Sequence, residues 1–164
     1  MLKGKSRFRK GAAIAAAAAA VTAGTAGIAA ASTSAPSITS PTTIVLRAHG
    51  GSATFVNVAH KKGPAIGDEV ILKQPVFNPA HPAVVVGHGF VIVTLLGGRN
   101  LSQDEATLVL RRGEIAAAGI QGSNPFKLAI TGGTGLYANA RGQATVKLGK
   151  GKGNPATITL SLVP

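Results

Sequence analysis

The stretch that most constrains how this 164-residue chain can fold is LAITGGTGLYANARG, residues 128–142. Leu128 and Ile130, with Phe126 before them, alternate with Lys127, Ala129 and Thr131, the period of a strand whose two faces meet different surroundings. The strand runs into Gly132, Gly133 and Gly135, residues that take positive φ at little steric cost and so predict a sharp change of backbone direction. A short irregular passage with Tyr137 and Arg141 follows. From Gly142 the period of two resumes, with Ala144, Val146 and Leu148 on one side and Gln143, Thr145 and Lys147 on the other. Strand, glycine corner, strand is a β architecture.

The rest of the chain from residue 42 agrees. Strands are expected over 43–48 and 52–59 about a turn at His49-Gly50-Gly51, with a second turn at Lys61-Lys62-Gly63-Pro64. A strand over 69–77 carries Pro75, which confines it to an edge, a bulge or an early end. After a turn at 78–82 comes a long run, 83–96, interrupted by Gly87-His88-Gly89, the mark of a bulge or corner. A polar loop is expected over 97–104, then a hairpin of 105–111 and 114–121 across Arg112-Gly113, and finally strands over 143–148 and 156–163. Eight or nine strands at short, even spacing point to an antiparallel barrel or sandwich. The run 83–96 is apolar on both faces, whereas a strand with one face in water should alternate. Its second face must be covered by a barrel lumen or by another subunit, which favours a homo-oligomer.

Residues 1–31 have the pattern of an export signal: Lys3, Lys5, Arg7, Arg9 and Lys10, then an uncharged Ala/Gly-rich stretch ending in Ala29-Ala30-Ala31. Cleavage is expected after Ala31 and the mature protein is expected outside the cell; the competing reading is an uncleaved membrane anchor. Residues 32–41 read as a flexible Ser/Thr/Pro-rich N-terminus, and 42–164 as the folded domain. The signal holds five of the 17 basic residues and none of the five acidic ones, so its removal lowers the formal charge from +12 to +7. That balance fits solubility and loose contact with an anionic cell wall. Nucleic acid is not expected as a partner, because the basic residues form no clustered face with stacking aromatics.

Several chemistries are excluded. With no cysteine there is no disulfide framework, thiolate metal site or thiol nucleophile. Gly133-x-Gly135-x-x-Ala138 matches a dinucleotide fingerprint only formally, since no acidic residue follows Glu114. His49, His60, His81 and His88 are scattered without carboxylates at ligand spacing, so no metal is expected, and no cofactor either. Asn100-Leu-Ser102 is a formal glycosylation sequon, meaningful only in a eukaryotic secretory pathway.

Five residues are candidates for a site. Asp68 is the catalytic candidate: facing an apolar lumen it would have a raised pKa and could serve as acid or base. Its other reading is a turn aspartate bonding nearby backbone. Arg141 could grip a ligand carboxylate in bidentate fashion, or bond loop carbonyls or an acid. Tyr137 could hydrogen-bond a ligand at a barrel mouth, or plug the barrel end. His88 and Phe90 are placed on the long strand, either lining the lumen or on a packed face.

Gly67-Asp68, then Gly113-Glu-Ile-Ala-Ala-Ala-Gly-Ile-Gln121, then the 128–142 motif and Val146 resemble the barrel domain shared by plant allene oxide cyclases and dirigent proteins, which exported bacterial relatives also carry. The likeness covers about 42–163. It implies an eight-stranded antiparallel β-barrel, commonly a trimer, with a hydrophobic lumen open at one end. Allene oxide cyclases close a ring on a fatty-acid epoxide largely by cavity shape, helped by a carboxylate on the first strand and a bound water; residues 42–48 here hold no acid. Dirigent proteins hold phenoxy-derived intermediates for stereospecific coupling with aspartates and an arginine, and Asp68 and Arg141 stand at matching motif positions. The resemblance thus implies an exported barrel binding a small hydrophobic, phenolic or fatty-acid-derived ligand. If it is an enzyme, it is an isomerase of the cyclase kind, or else a stereochemical guide without a redox centre of its own. The alternative is a non-catalytic cell-surface or extracellular structural protein whose barrel is filled by its own side chains.

Overall fold

Period-two alternation from residue 42 onward produces nine strand segments: β1 (Thr42–Ala48), β2 (Ser52–Val56), β3 (Glu69–Asn78), β4 (His81–Gly97), β5 (Leu101–Leu110), β6 (Gly113–Gln121), β7 (Phe126–Gly133), β8 (Arg141–Lys147) and β9 (Ala156–Val163). The computed structural model of the chain describes residues 38–97, 101–150 and 155–164. The expected export signal at 1–31, residues 32–37 of the Ser/Thr/Pro-rich segment and Asn100 of the sequon lie outside the described residues.

Every pairing is antiparallel, in the order β1-β9-β8-β7-β6-β5-β4-β3-β2, with a further pairing of β1 to β3 that closes the sheet. β1 runs along β9 from Thr42↔Leu162 to Ala48↔Ala156 and meets β3 through Arg47↔Phe77 and Ala48↔Val76. β2 continues along the same edge of β3, from Ser52↔Lys73 to Val56↔Glu69. β1 and β2 are therefore one stave, and the nine segments make a closed eight-stranded barrel, as expected. The expected turn at His49-Gly50-Gly51 is a kink within that stave rather than a reversal. Gly51 has φ +88° there, and a Cβ on it would run into the carbonyl of Lys73. Across the kink, Gln74 and Pro75 have no partner on that side, which is how a residue without an N–H fits in mid-strand.

Two other boundaries moved. β4 is unbroken, but its register against β3 steps from Val76↔Gly87 to Phe77↔Val85. Val86 is thus an extra residue, placing the anticipated irregularity beside Gly87. β5 begins at Leu101, so most of the expected polar loop is strand. Sequence alternation hid it, because the inward-facing positions at its start are Ser102 and Asp104 rather than apolar residues.

The glycine corner lies where β7 passes to β8. Gly132 and Gly133 remain in β7, and a single turn of 3₁₀ helix, Gly135–Tyr137, makes the reversal. The corner is clamped to the β5–β6 turn. The Leu136 N–H donates to Arg112 O at 2.8 Å, the Thr134 N–H to Glu114 O at 2.9 Å, and the Glu114 N–H to Thr134 Oγ1 at 3.1 Å. Gly113 at φ +142° and Gly135 at φ +59° let the two backbones touch: a Cβ on the first would strike Thr134 O, and on the second Arg112 O. The corner lays Tyr137, 8% exposed, into the core among Ile115, Ile130, Leu162 and Ala140, closing that end of the barrel. Ile115, Leu160 and Leu162 are fully buried, each contributing ~1.5–3 kcal/mol of hydrophobic stabilisation.

Gly113→Ala is expected to cost about 2 kcal/mol or more, from both the φ and the collision with Thr134. Urea denaturation reads this directly; an unchanged midpoint would mean that the clamp can spread without loss.

Candidate functional site

A small barrel fills its interior with side chains or leaves room for a ligand, and the inward-facing residues decide which. At the closed end they are large: Val76, Leu108, Ile115 and Leu160. Small residues, Gly89, Ala106, Ala117 and Ala144, line the same wall, Gly89 and Ala144 directly across the ladder from Leu108 and Leu160, and the space between the walls is a cavity of about 730 Å³. This lies within the ~300–1,000 Å³ common for small-molecule sites. Its walls are mostly aliphatic, with Leu72, Val91, Leu128 and Ile158 among them, while Gln74, Gln121, Asp104 and His49 supply polar groups. The small-residue alternation of 113–121, which carried part of the family resemblance, thus acquires a physical purpose: it keeps the lumen open.

Asp104 is the chemically distinctive member of this wall. It is 3% exposed, faces Val93 of β4 and Gly119 of β6 across the ladder, and accepts a 2.7 Å hydrogen bond at Oδ1 from the Ser102 hydroxyl, itself buried. Burial in this apolar setting raises the carboxyl pKa, and the Ser102 hydrogen bond pulls the other way without cancelling it. Asp104 was not among the candidates expected from the sequence. The signal that could have found it is the run Ser102, Asp104, Ala106, Leu108, a period of two in phase with an apolar, inward-facing Leu108.

A second cavity of about 590 Å³ adjoins the first and shares Val93 and Gln121 with it. Ser102 and Leu95 line its wall, and Pro64, Ala65 and Ile66 of the loop 57–68 cover it. Asp68 organises that loop. Its side chain is fully buried, with Oδ1 accepting from the Ala59 N–H at 2.9 Å and Oδ2 from the Ala65 N–H at 2.7 Å. The backbone on either side is tied to β4, Gly67 N–H to Leu95 O at 2.8 Å and Leu95 N–H to Asp68 O at 2.9 Å. The hydrogen bond from Ala59, with that from Ala65, outweighs burial and holds the Asp68 carboxyl below the usual aspartate range. The catalytic placement of Asp68 in the lumen is thus corrected: it is a turn aspartate bonding nearby backbone.

The other four candidates also stand away from the cavity walls. Tyr137 plugs the closed end. Arg141 is exposed at the start of β8, opposite Val163 and directly after that plug. His88 and Phe90 project from the outer face of β4, while Gly89, Val91 and Val93 between and beyond them face inward. The expectation that His88 and Phe90 line the lumen therefore fails on strand parity. The Lys73 ammonium lies 5.5 Å from the centre of the Phe90 ring on that outer face. The five residues form no common cluster.

No family model matches the chain, and no curated protein sequence matches it. Among solved structures it is similar to pyocyanin demethylase, at 27% identity and a TM-score of 0.64, covering 74% of this chain and 100% of that one. It is also similar to the pterocarpan synthase dirigent protein (21% identity, TM-score 0.56, 74% of this chain and 87% of the other). A third is an exo-specific intermolecular Diels-Alderase (18% identity, TM-score 0.55, 75% and 98%). The barrel fold is shared with these proteins, in keeping with the dirigent-like and cyclase-like resemblance of the sequence.

Because the folded pKa of Asp68 lies below its unfolded value of ~3.9, its contribution to stability is complete above that value and is lost as pH falls through the folded pKa. Asp68→Asn is therefore expected to lower the melting temperature at neutral pH and to flatten the acid limb of the stability profile. Identical acid limbs in the two proteins would show that Asp68 does not hold the loop.

Proposed function

We propose that this protein binds a small hydrophobic molecule in its lumen and steers the cyclisation or coupling of that molecule by shape. The observation that carries this reading is the 730 Å³ cavity itself, walled by aliphatic residues and kept open by Gly89, Ala106, Ala117 and Ala144. A cavity of this kind accelerates a reaction by holding one near-attack geometry, which requires few catalytic groups. Structural neighbours named as a synthase-type dirigent protein and a Diels-Alderase support a ligand-handling role for the fold in general. Phenolic and fatty-acid-derived molecules are the proposed ligand classes. The competing reading, a structural barrel packed solid, would require large side chains at those four small positions.

Export with cleavage after Ala31 belongs to the same proposal, supported by the basic, Ala-rich and small-residue pattern of residues 1–31. So does a homo-oligomer, with a trimer favoured. Apolar Ile71, Phe90 and Ile92 stand about 42–44% exposed on the outer face of β3 and β4, a patch that subunit contact would cover.

Native mass spectrometry of the secreted protein, offered phenolics and fatty-acid epoxides, tests all three elements. A trimer of the cleaved chain carrying a reproducible small-molecule mass is the expected result. Ala106→Phe, which fills the lumen, is expected to weaken ligand binding by about tenfold or more while leaving the fold intact. Ligand binding unaffected by Ala106→Phe, or no added mass from any ligand offered, would sink the lumen reading.

A further inference from the structure

Building on the lumen as ligand site, we infer that the Ser102–Asp104 pair is a recognition site for an elongated apolar ligand carrying a hydrogen-bond-accepting oxygen, such as a conjugated carbonyl, part-way along its length. The position of the pair carries the inference. Asp104 lines the larger cavity and Ser102 the smaller one, and the two cavities share Val93 and Gln121. The pair therefore stands where the two cavities meet, with the largely aliphatic lumen on one side and a more mixed wall on the other. A ligand occupying both cavities would have its middle beside these two side chains, each of which lines one of them.

The geometry of the pair also fixes what it can read. The Ser102 hydroxyl donates to Asp104 Oδ1, and among the described residues Oδ2 has no hydrogen-bond partner. Oδ1 is thus occupied as an acceptor, and when the carboxyl holds a proton that proton sits on Oδ2, free to be donated to a ligand. Gly119, directly across the ladder from Asp104, puts no side chain of its own beside the carboxyl, and Leu128 of β7 packs closely over this glycine. Among the described residues no buried side-chain polar atom is left unpaired, so Oδ2 opens onto the cavity, where a ligand oxygen can take the place of solvent. Burial favours the protonated form that can donate. Hydrogen bonding from Oδ2 to a conjugated carbonyl also withdraws electron density from the adjoining double bonds, which assists ring closure without breaking a bond at the carboxyl.

Other titratable groups do not confuse the assignment. The strands flanking Asp104 present Val93 and Gly119 to it, and Gln74 and Gln121 are the neutral polar groups of the lumen. His49, beside the β1–β2 kink, is the other titratable side chain of the wall.

The test uses two fluorescent probes on the full chain: 6-propionyl-2-(dimethylamino)naphthalene, which carries a ketone, and 1,6-diphenylhexatriene, an elongated hydrocarbon with no acceptor. Wild-type protein is expected to bind both. Asp104→Leu is expected to weaken the ketone by about five- to tenfold, with the hydrocarbon changed less than about twofold, because one buried hydrogen bond is lost. Bound-ketone emission should move to the blue in Asp104→Leu, as the hydrogen bond to its carbonyl disappears. Asp104→Asn, which still offers a donor, should recover most of the ketone affinity. In wild type, ketone affinity should fall as pH rises above the usual aspartate range and Asp104 loses its proton, whereas Asp104→Asn should be flat and His49→Gln should keep the fall. Equal losses of both probes in the variants, or a pH profile that Asp104→Asn leaves unchanged, would overturn the assignment while the lumen reading stood. Binding of neither probe by wild-type protein would overturn both.

Discussion

The structure depends on the double use of β3. One edge of this strand pairs with β4 throughout, and the other holds first β2 and then the end of β1. Without the Arg47↔Phe77 and Ala48↔Val76 pairs the sheet would be an open ribbon with two exposed edges, a template for aggregation rather than a container. Closure needs one stave to bend and slip in register, and the His49-Gly50-Gly51 kink supplies that slip. Pro75 sits opposite the kink, where an absent N–H costs no ladder bond. The two residue types least suited to a strand are thus placed where the barrel must deform.

Closure determines the inside as well. Once the sheet is shut, residue parity alone decides which side chains face the lumen, and their sizes decide where it is empty. Large residues and Tyr137 fill one end, and small residues, Gly89, Ala106, Ala117 and Ala144, are among those that line the cavity. The glycine corner is part of this arrangement rather than a ligand loop. Its contacts with the β5–β6 turn press Tyr137 inward, which explains why a motif so prominent in the sequence lies at the end of the barrel opposite to Gln121 and the loop 57–68.

The two buried aspartates show how environment divides one residue type into two roles. Asp68 receives two backbone N–H groups and is held in the charged form, so it stabilises a loop. Asp104 receives one hydroxyl in an aliphatic wall and is pushed the other way, toward the neutral form. Family likeness drew attention to the first; only burial and hydrogen bonding single out the second.

The sequence by itself determined the β class, a count of eight or nine strands, the corner at 132–135 and the prospect of a covered second face for 83–96, because alternation and glycine punctuation are local properties of the chain. It left Phe90 and His88 either lining the lumen or on a packed face and put Ser102 and Asp104 in a loop, and the tertiary structure turned the first pair outward and built the second into β5. Parity within an apolar strand says that two faces exist but not which one turns inward; that choice is made when neighbouring strands fix the register and the sheet closes. Likewise, a polar pair at a strand's start looks like loop until the barrel wraps it in Val93, Gly119 and Ala106. Whether a carboxylate is a backbone anchor or an isolated acid depends on partners nine residues away, as for Ala59 and Asp68, or across the ladder, as for Gly119 and Asp104. Those proximities exist only in the folded barrel.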